Sequence, residues 1–422
     1  MTGEHEWFLG PGERIEIASP LDERASEGRL WTPGNRVVPL VHGRRYFERL
    51  VPCLRELRAG DRMWFTDWRG DDDQVLSPDG TRLGDLLVEL ATAGVEVRGM
   101  LWRSHSKALG YHAERHLALA ERVNEAGGRV MLDERVRRAG SHHQKIVILR
   151  HRGRPHLDVA FVGGIDLCHG RGDDEDHRGD PQPEEMDREY GATPPWHDVQ
   201  AEVRGPAIGD IATTFLQRWN DPTPLERRTP WNRMRAVLGH QPVRTEPIGP
   251  LDPDPPPAGE CAVQVLRTYP VKTPPYPFAP DGERSIAREY HKAFRRARRL
   301  VYVEDQYLWS AEIADLYVEA LREVPDLHVI VVLPRVPDRN GGLTGPAHRI
   351  GQLEVLRRVR EAGGGRMAIY DLENEIGTPI YVHAKVVVID DVLAAVGSDN
   401  MNRRSWTHDS ECSLAVLDDA RD

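Results

Sequence analysis

Cysteine is scarce in this chain. Four stand in 422 residues, Cys53, Cys168, Cys261 and Cys412, far apart and with no CxxC pair. That spacing argues against a disulfide framework and against thiolate zinc sites. Long apolar runs are missing as well, since nothing approaches the roughly 18 consecutive apolar residues of a membrane span. The opening MTGEHEWFLGPGERIEIA has no basic stretch leading into an apolar one, so no secretory leader is read. The expected compartment is the cytoplasm, with at most peripheral contact to a membrane. Basic charge is in deficit: 56 Lys and Arg face 67 Asp and Glu, a formal net charge of −11. The overall field therefore repels polyanions, and a phosphate-bearing substrate needs a local basic pocket. No GxSxG elbow, Walker loop or GxGxxG after a strand occurs.

What the chain does contain is a repeat. AERVNEAGGRVML (120–132) resembles VLRRVREAGGGRMAI (355–369), and GDLLVELATAGVEVRGML (84–101) resembles ADLYVEALREVPDLHVIVVL (314–333). GDRMWFTDW (60–68) matches RRLVYVEDQ (298–306), and SHHQKIVIL (141–149) matches YVHAKVVVID (381–390). Order and spacing are kept, which marks an internal duplication. Each half alternates amphipathic helices with short Val/Ile/Leu-rich strands, which predicts an α/β fold with sheets covered on both faces. The glycine runs at 127–128 and 363–365 follow helical patterns and read as helix ends. Two lobes, 1–220 and 261–422, are expected around a proline-dense linker at 221–260.

The repeated His-x-Lys carries the chemistry. Residues two apart on a strand share a face, so His143 lies beside Lys145 and His383 beside Lys385. A Lys in an otherwise buried strand needs an anion or a carboxylate to meet it, and belongs where the strand opens into a cleft. The next strand, LAAVGSDN, closes on Gly397-Ser398-Asp399-Asn400, adding an amide donor. VAFVGGID closes the first copy on Asp166, at the position of Asn400. One such motif is weak. Two copies, each last in its half and each followed by Gly-[Gly/Ser]-x-[Asp/Asn], predict an anion site.

Other features invite blander readings. His112 and His116 have helical i, i+4 spacing but no third ligand in view, so a solvated helix face is expected. The acidic span 171–195 could take Ca²⁺ but lacks EF-hand spacing, and is expected to be a solvated loop. TYPVKTPPYPFAP (268–280) is either a membrane-touching or cleft-roofing loop or an ordinary linker.

At the His-Lys segments the sequence resembles the phospholipase D superfamily, whose mark is two HxKxxxxD motifs in one chain. His383-Ala-Lys385-VVVI-Asp390 fits it throughout, as does GSDNMNRRS followed by DSE (409–411). FTDW (65–68), RGMLWRSH, FVGGIDLC, PWHDV and VEDQYLW are similar to its phospholipid-cleaving branch. Two departures stand out. Arg150 replaces the Asp of the first motif, with Asp158 a candidate substitute across the hairpin. The sequence also stops at Asp422, where similar proteins commonly continue with another helix.

The resemblance implies two homologous αβα-sandwich lobes related by a pseudo-twofold, with the active site at their interface. Lys145, Lys385 and Asn400 would hold the non-bridging phosphate oxygens. His143 would attack phosphorus to form a phosphohistidine, and His383 would serve as acid and base. Asp198 and Glu411 would orient the imidazoles. Asp166 would act through water, stay protonated, or position Lys145. No metal or other cofactor is required, and Ca²⁺ stimulation has no support in the sequence. The expected partner is a phospholipid at a transient membrane surface, met by a monomer, with no nucleic acid. Rival readings are a cardiolipin synthase-like phosphatidyl transferase, a phosphodiesterase or nuclease of the superfamily, and a non-catalytic lipid-binding relic.

Overall fold

The computed structural model describes residues 3–14, 21–24, 29–103, 113–225, 246–336 and 345–418. Strands β1 (Thr32–Val41), β2 (Arg62–Asp67), β3 (Glu96–Trp102), β4 (Arg129–Asp133), β5 (Ile146–Arg150), β6 (Val159–Gly163) and β7 (Val199–Arg204) make the first half. Strands β8 (Cys261–Tyr269), β9 (Leu300–Glu304), β10 (His328–Val332), β11 (Met367–Tyr370), β12 (Val386–Ile389), β13 (Leu393–Gly397) and β14 (Glu411–Leu417) repeat them in order. Hydrogen bonding runs β4-β3-β2-β5-β6-β7-β1 in one half and β11-β10-β9-β12-β13-β14-β8 in the other. The halves join through antiparallel β1 and β8, with Asn35 opposite Cys261. The duplication is thus a pseudo-twofold about the β1–β8 seam.

Helices α1 (Gly43–Arg55), α2 (Leu83–Thr92) and α3 (Ala113–Glu125) cover the first half. Helix α4 (Ala207–Trp219) follows β7, and α5 (Ser285–Arg296), α6 (Ala311–Glu323) and α7 (Gly345–Gly363) cover the second half. Beyond α3 and α7 the chain turns through Gly127 at φ 98° and Gly364 at φ 56°, the left-handed conformation glycine adopts without strain.

Period-two alternation divides the apolar side chains among three cores. Val147, Leu149 and Phe161 face the first half's helices. Ile146, Ile148, Val162 and Ala201 turn inward and meet Val265, Val396 and Leu414 from the other half. Leu393, Ala395 and Leu417 face the second half's helices. Burial on both faces explains the nearly continuous apolar strands.

The lobe boundaries need one correction. Residues 3–14, expected with the first lobe, dock on the second. Phe8, Leu9 and Trp31 join its helical core. Gln264 exchanges hydrogen bonds with the Leu9 backbone at 3.0 and 2.9 Å, and Lys292 Nζ donates to the Phe8 carbonyl at 2.6 Å. Apolar complementarity places this segment, and no local signal reports it. Within the expected linker 221–260, residues 226–245 lie outside the described residues.

Candidate active site

Each His-Lys segment lies where the chain changes hydrogen-bonding partner. His142 bridges to Ser410, and the His143 N–H donates to the Ser410 carbonyl at 2.9 Å. Residues Pro379–Val382 pair with Trp196–His197, and the His383 N–H donates to the His197 carbonyl at 2.8 Å. Three residues later each chain enters its own half's sheet, at Ile146 and Val386. The motif therefore precedes its strand instead of lying inside it. Upstream pairing is with the other half, and downstream pairing is with its own.

Register identifies the equivalent carboxylates. Gly163 lies opposite Gln200 and Gly397 opposite Ser413, so Asp198 and Glu411, each two residues earlier, correspond. Their contacts are crossed. His143 Nδ1 lies 3.0 Å from Glu411 Oε2, whereas His383 Nδ1 lies 2.7 Å from Asp198 Oδ2. Each imidazole is thus held by a carboxylate from the opposite half, which leaves both Nε2 atoms clear of these contacts.

The two rings differ electrostatically. His143 Nδ1 is also 2.9 Å from the Ser398 carbonyl, which can only accept, so that nitrogen carries the proton and Nε2 keeps its lone pair. Burial and the neighbouring Asp409 push Glu411 up to about 8, and Ser398 Oγ donates to it at 2.5 Å. Burial also opposes ionisation of Asp198, but the charges of His383 and Lys385 prevail and hold it below the usual carboxylate range. Both imidazoles lie well below their ordinary value, because of burial and then the lysines; Lys385 acts on His143 across the interface.

The lysines are buried, Lys145 at 1% exposure and Lys385 at 2%. Burial, and then Lys145, bring Lys385 down to about 8 against the pull of Asp198 and Asp305. Lys145 Nζ donates to the His143 carbonyl at 2.8 Å and lies 3.5 Å from Asp166 Oδ2. Lys385 Nζ donates to the His383 carbonyl. Of the three expectations for Asp166, positioning Lys145 is the one this contact matches. Its other oxygen accepts the Trp68 and Arg69 N–H groups at 3.0 and 3.2 Å. Asn400 keeps a buried, unpartnered Oδ1.

Sequence reading missed several neighbours. Asp67 and Asp305, at matching positions in FTDW and VEDQ, are buried beside Lys145 and Lys385, and burial raises both well above the carboxylate range. Trp196 covers His383 with ring centroids 4.8 Å apart, and the Arg171 guanidinium sits 3.8 Å over Trp196. The signal was present in FTDW and PWHDV, but only as resemblance without a role.

Arg150 is explained by its partners. Its Nε lies 2.7 Å from Asp158 Oδ2, and Nη2 donates to the Pro253 carbonyl at 2.6 Å. In the second half Asp390 accepts the N–H groups of Arg298, Arg299 and Leu300 at 2.7–2.8 Å, tying the β12 end to the turn before β9. The first half reverses this tie. Asp61, in the turn before β2, accepts the Arg152 N–H at 2.8 Å and Arg154 Nη2 at 2.6 Å. The motif aspartate is a fold clasp, and here it stands on the other strand.

Three expectations need revision. His116 is buried, not solvated, with Nδ1 3.1 Å from the Trp102 carbonyl; His112 lies outside the described residues. In 268–280 the aromatics turn inward: Tyr269, Tyr276 and Phe278 cluster, with Tyr269 edge-to-face to the other two, and Tyr276 OH donates to the Arg135 carbonyl at 2.9 Å. Those rings are therefore unavailable to a bilayer. In the acidic span, Asp173 and Asp180 are not free in solvent. Asp173 accepts the Trp196 N–H at 2.7 Å and Asp180 the Gly172 N–H at 2.7 Å, so backbone donors hold the loop.

Comparison with known proteins agrees on ancestry. A family model described as phospholipase D (PLDc) matches residues 71–230. Phospholipase D2 of Bos taurus is 26% identical over 91% of this chain and 49% of its own length. Phospholipase D alpha 2 of Oryza sativa subsp. japonica is 26% identical over 90% of this chain and 61% of its own. The chain thus spans about half to three-fifths of the length of these relatives. In fold it is similar to the phosphatidylserine synthase of Haemophilus influenzae Rd KW20, with a TM-score of 0.60, 13% identity, and coverage of 90% of this chain and 82% of that one. Among the described residues no helix is long and apolar enough to cross a membrane. In its duplicated sheet, its paired His-Lys segments and the family-model match, the chain is similar to the phospholipase D superfamily.

Proposed function

We propose that this chain cleaves the head-group phosphodiester of a phospholipid through a phosphohistidine. His143 Nε2 attacks phosphorus, the bond to the head-group oxygen breaks, and protonated His383 gives its proton to the departing alkoxide. His383 then takes a proton from water, whose oxygen displaces the imidazole and releases the phosphatidate. Lys145, Lys385 and the Asn400 amide balance charge on the non-bridging oxygens, a stabilisation that commonly dominates such barriers. These residues supply the neutralising charge locally, against the acidic balance of the chain.

The observation that carries this reading is the crossed pairing of His143 with Glu411 and His383 with Asp198. Neither half can orient its own imidazole, so the two work as one site. The asymmetry supports the division of roles: the carbonyl-fixed tautomer of His143 suits a nucleophile, and the ionised partner of His383 favours an imidazolium. The names of the relatives supply the lipid class.

The test is choline and phosphatidate release from phosphatidylcholine vesicles. Wild-type chain is expected to release both, His143→Ala neither, and His383→Ala both at a rate about 10²- to 10⁴-fold lower. Release within about tenfold of the wild-type rate in either variant overturns the two-histidine scheme. Inactivity on lipids with cleavage of bis(p-nitrophenyl) phosphate overturns the substrate class alone.

A further inference from the structure

A second cluster lies behind Asp198. His42 follows β1 and precedes α1, His177 stands in the acidic loop, and His197 sits in the two-residue strand that pairs with the His383 segment. One ring nitrogen from each lies within 4.8 Å of the other two. The rings cluster, with centroids 4.6 Å (His42–His177), 5.3 Å (His42–His197) and 5.8 Å (His177–His197) apart.

The remaining nitrogens are arranged for coordination. His197 is 7% exposed; its Nε2 lies 2.8 Å from Glu304 Oε2, while its Nδ1 is buried without a partner. His42 Nδ1 is likewise buried and unpartnered. His177 Nδ1 lies 3.4 Å from Asp173 Oδ2, which leaves Nε2 for a ligand. A carboxylate behind a histidine fixes its tautomer and strengthens it as a donor, the usual outer shell of a metal-bound imidazole. Among the described residues no arginine or lysine pairs with Glu304 or Asp173; besides the histidines they accept only neutral donors, Tyr302 OH at Glu304 and backbone N–H groups, Trp196 among them, at Asp173. His42 and His177 also hold φ at 70° and 50°, an uncommon conformation for a side-chain-bearing residue.

We propose that His42, His177 and His197 bind one transition-metal dication of the zinc type. Imidazole donors suit such ions, whereas Ca²⁺ and Mg²⁺ take oxygen ligands. Tetrahedral Zn–N geometry places ligand nitrogens about 3.4 Å apart, so the rings close inward around the ion. The bound ion ties the β1 end to the acidic loop and to the Trp196–His197 strand. It therefore buttresses Asp198, whose carbonyl accepts the His42 N–H at 2.8 Å, and does not touch the reacting phosphate. A second histidine–carboxylate group, Asp71, His169 and Glu184, makes a contrast. Arg69 and Arg115 already engage it, at 2.9 Å to Asp71 and 2.7 Å to Glu184, so its charge is satisfied.

The test uses full-length chain stripped with chelator, then loaded with Zn²⁺ or Co²⁺ and dialysed, with metal measured by mass spectrometry and Co²⁺ by its visible d–d bands. Wild type and His169→Ala are expected to retain one equivalent with low-coordinate bands. His177→Asn, which tolerates the left-handed backbone, is expected to lose both, and Glu304→Gln to bind 10- to 100-fold more weakly. Apo melting temperatures of wild type and His177→Asn should agree, which separates ligand loss from misfolding. Wild-type chain retaining no metal overturns the proposal. So do His177→Asn binding like wild type, and a site lost only with His169→Ala.

Discussion

The two half-sites share a backbone and differ in charge. In the first, His143 donates from Nδ1 to a carbonyl, its carboxylate Glu411 is pushed up to about 8, and Asp166 stands near the lysine. In the second, His383 faces an Asp198 held below the usual carboxylate range, and a neutral amide, Asn400, takes the Asp166 position. On the proposed mechanism, these differences divide the work between two histidines at equivalent positions. One environment preserves a neutral ring with a free lone pair. The other sets an ionised carboxylate against its ring, which offsets part of what burial and Lys385 cost an added proton. Sequence symmetry alone left these tasks interchangeable.

The largest expected effect tests that separation directly. A p-nitrophenyl phosphodiester leaves as a stabilised phenolate and needs no proton from the enzyme. His383→Ala is therefore expected to lose about 10²- to 10⁴-fold in kcat/KM on phosphatidylcholine, yet to recover most of it on phosphatidyl-p-nitrophenol. His143→Ala stays inactive on both, because the nucleophile is gone. Equal rescue of both variants, or of neither, breaks the proposed division.

Much of the architecture was legible because a duplicated chain states its pattern twice. The offset repeats marked four of the seven strand pairs, β2/β9, β3/β10, β4/β11 and β5/β12, and period-two alternation in IVIL and VVVI placed both faces of β5 and β12 in cores. The eight expected site residues could be named from two local motifs and the strands following them. What stayed hidden was everything set by long-range pairing. The crossing of His143 to Glu411 depends on a contact spanning 268 residues, and no local spacing encodes it. The same holds for the docking of residues 3–14 on the second lobe. The inward turn of Tyr276 depends on a hydrogen bond 141 residues away. Arg150 read as a departure from the motif, with Asp158 its candidate substitute, and only the fold reveals that Asp61 makes the clasp from the turn before β2.

A milder effect comes from exchanging the residues that differ. Asn400→Asp would place a carboxylate where a phosphate oxygen needs a donor, and is expected to cost about 10²- to 10³-fold in kcat/KM. Asp166→Asn keeps the acceptor for the Trp68 and Arg69 N–H groups and is expected to stay within about tenfold of wild type, since Lys145 retains its contact with the His143 carbonyl. Steady-state kinetics on one lipid substrate checks both. A collapse of Asp166→Asn to the level of Asn400→Asp would mean that the negative charge itself is required, making the half-sites less alike than their backbones.

The smallest expected effect on activity comes from restoring the family residue at position 150. Arg150→Asp completes the first motif on paper, but it sets a second carboxylate against Asp158, which is 2% exposed and paired with Arg150 at 2.7 Å. Breaking a buried pair from one side typically costs about 3–5 kcal/mol, because the remaining charge loses its partner. Asp390→Ala removes the acceptor of three backbone N–H groups in a more accessible turn, where water replaces part of the loss, for about 1–3 kcal/mol. Urea denaturation should therefore rank Arg150→Asp as the less stable variant. Folded protein of either variant should keep kcat/KM near wild type, since neither position touches the His-Lys face. If Arg150→Asp were instead neutral or stabilising, the clasp made by Asp61 would not be the counterpart of Asp390, and the two halves would hold their strands by unrelated means.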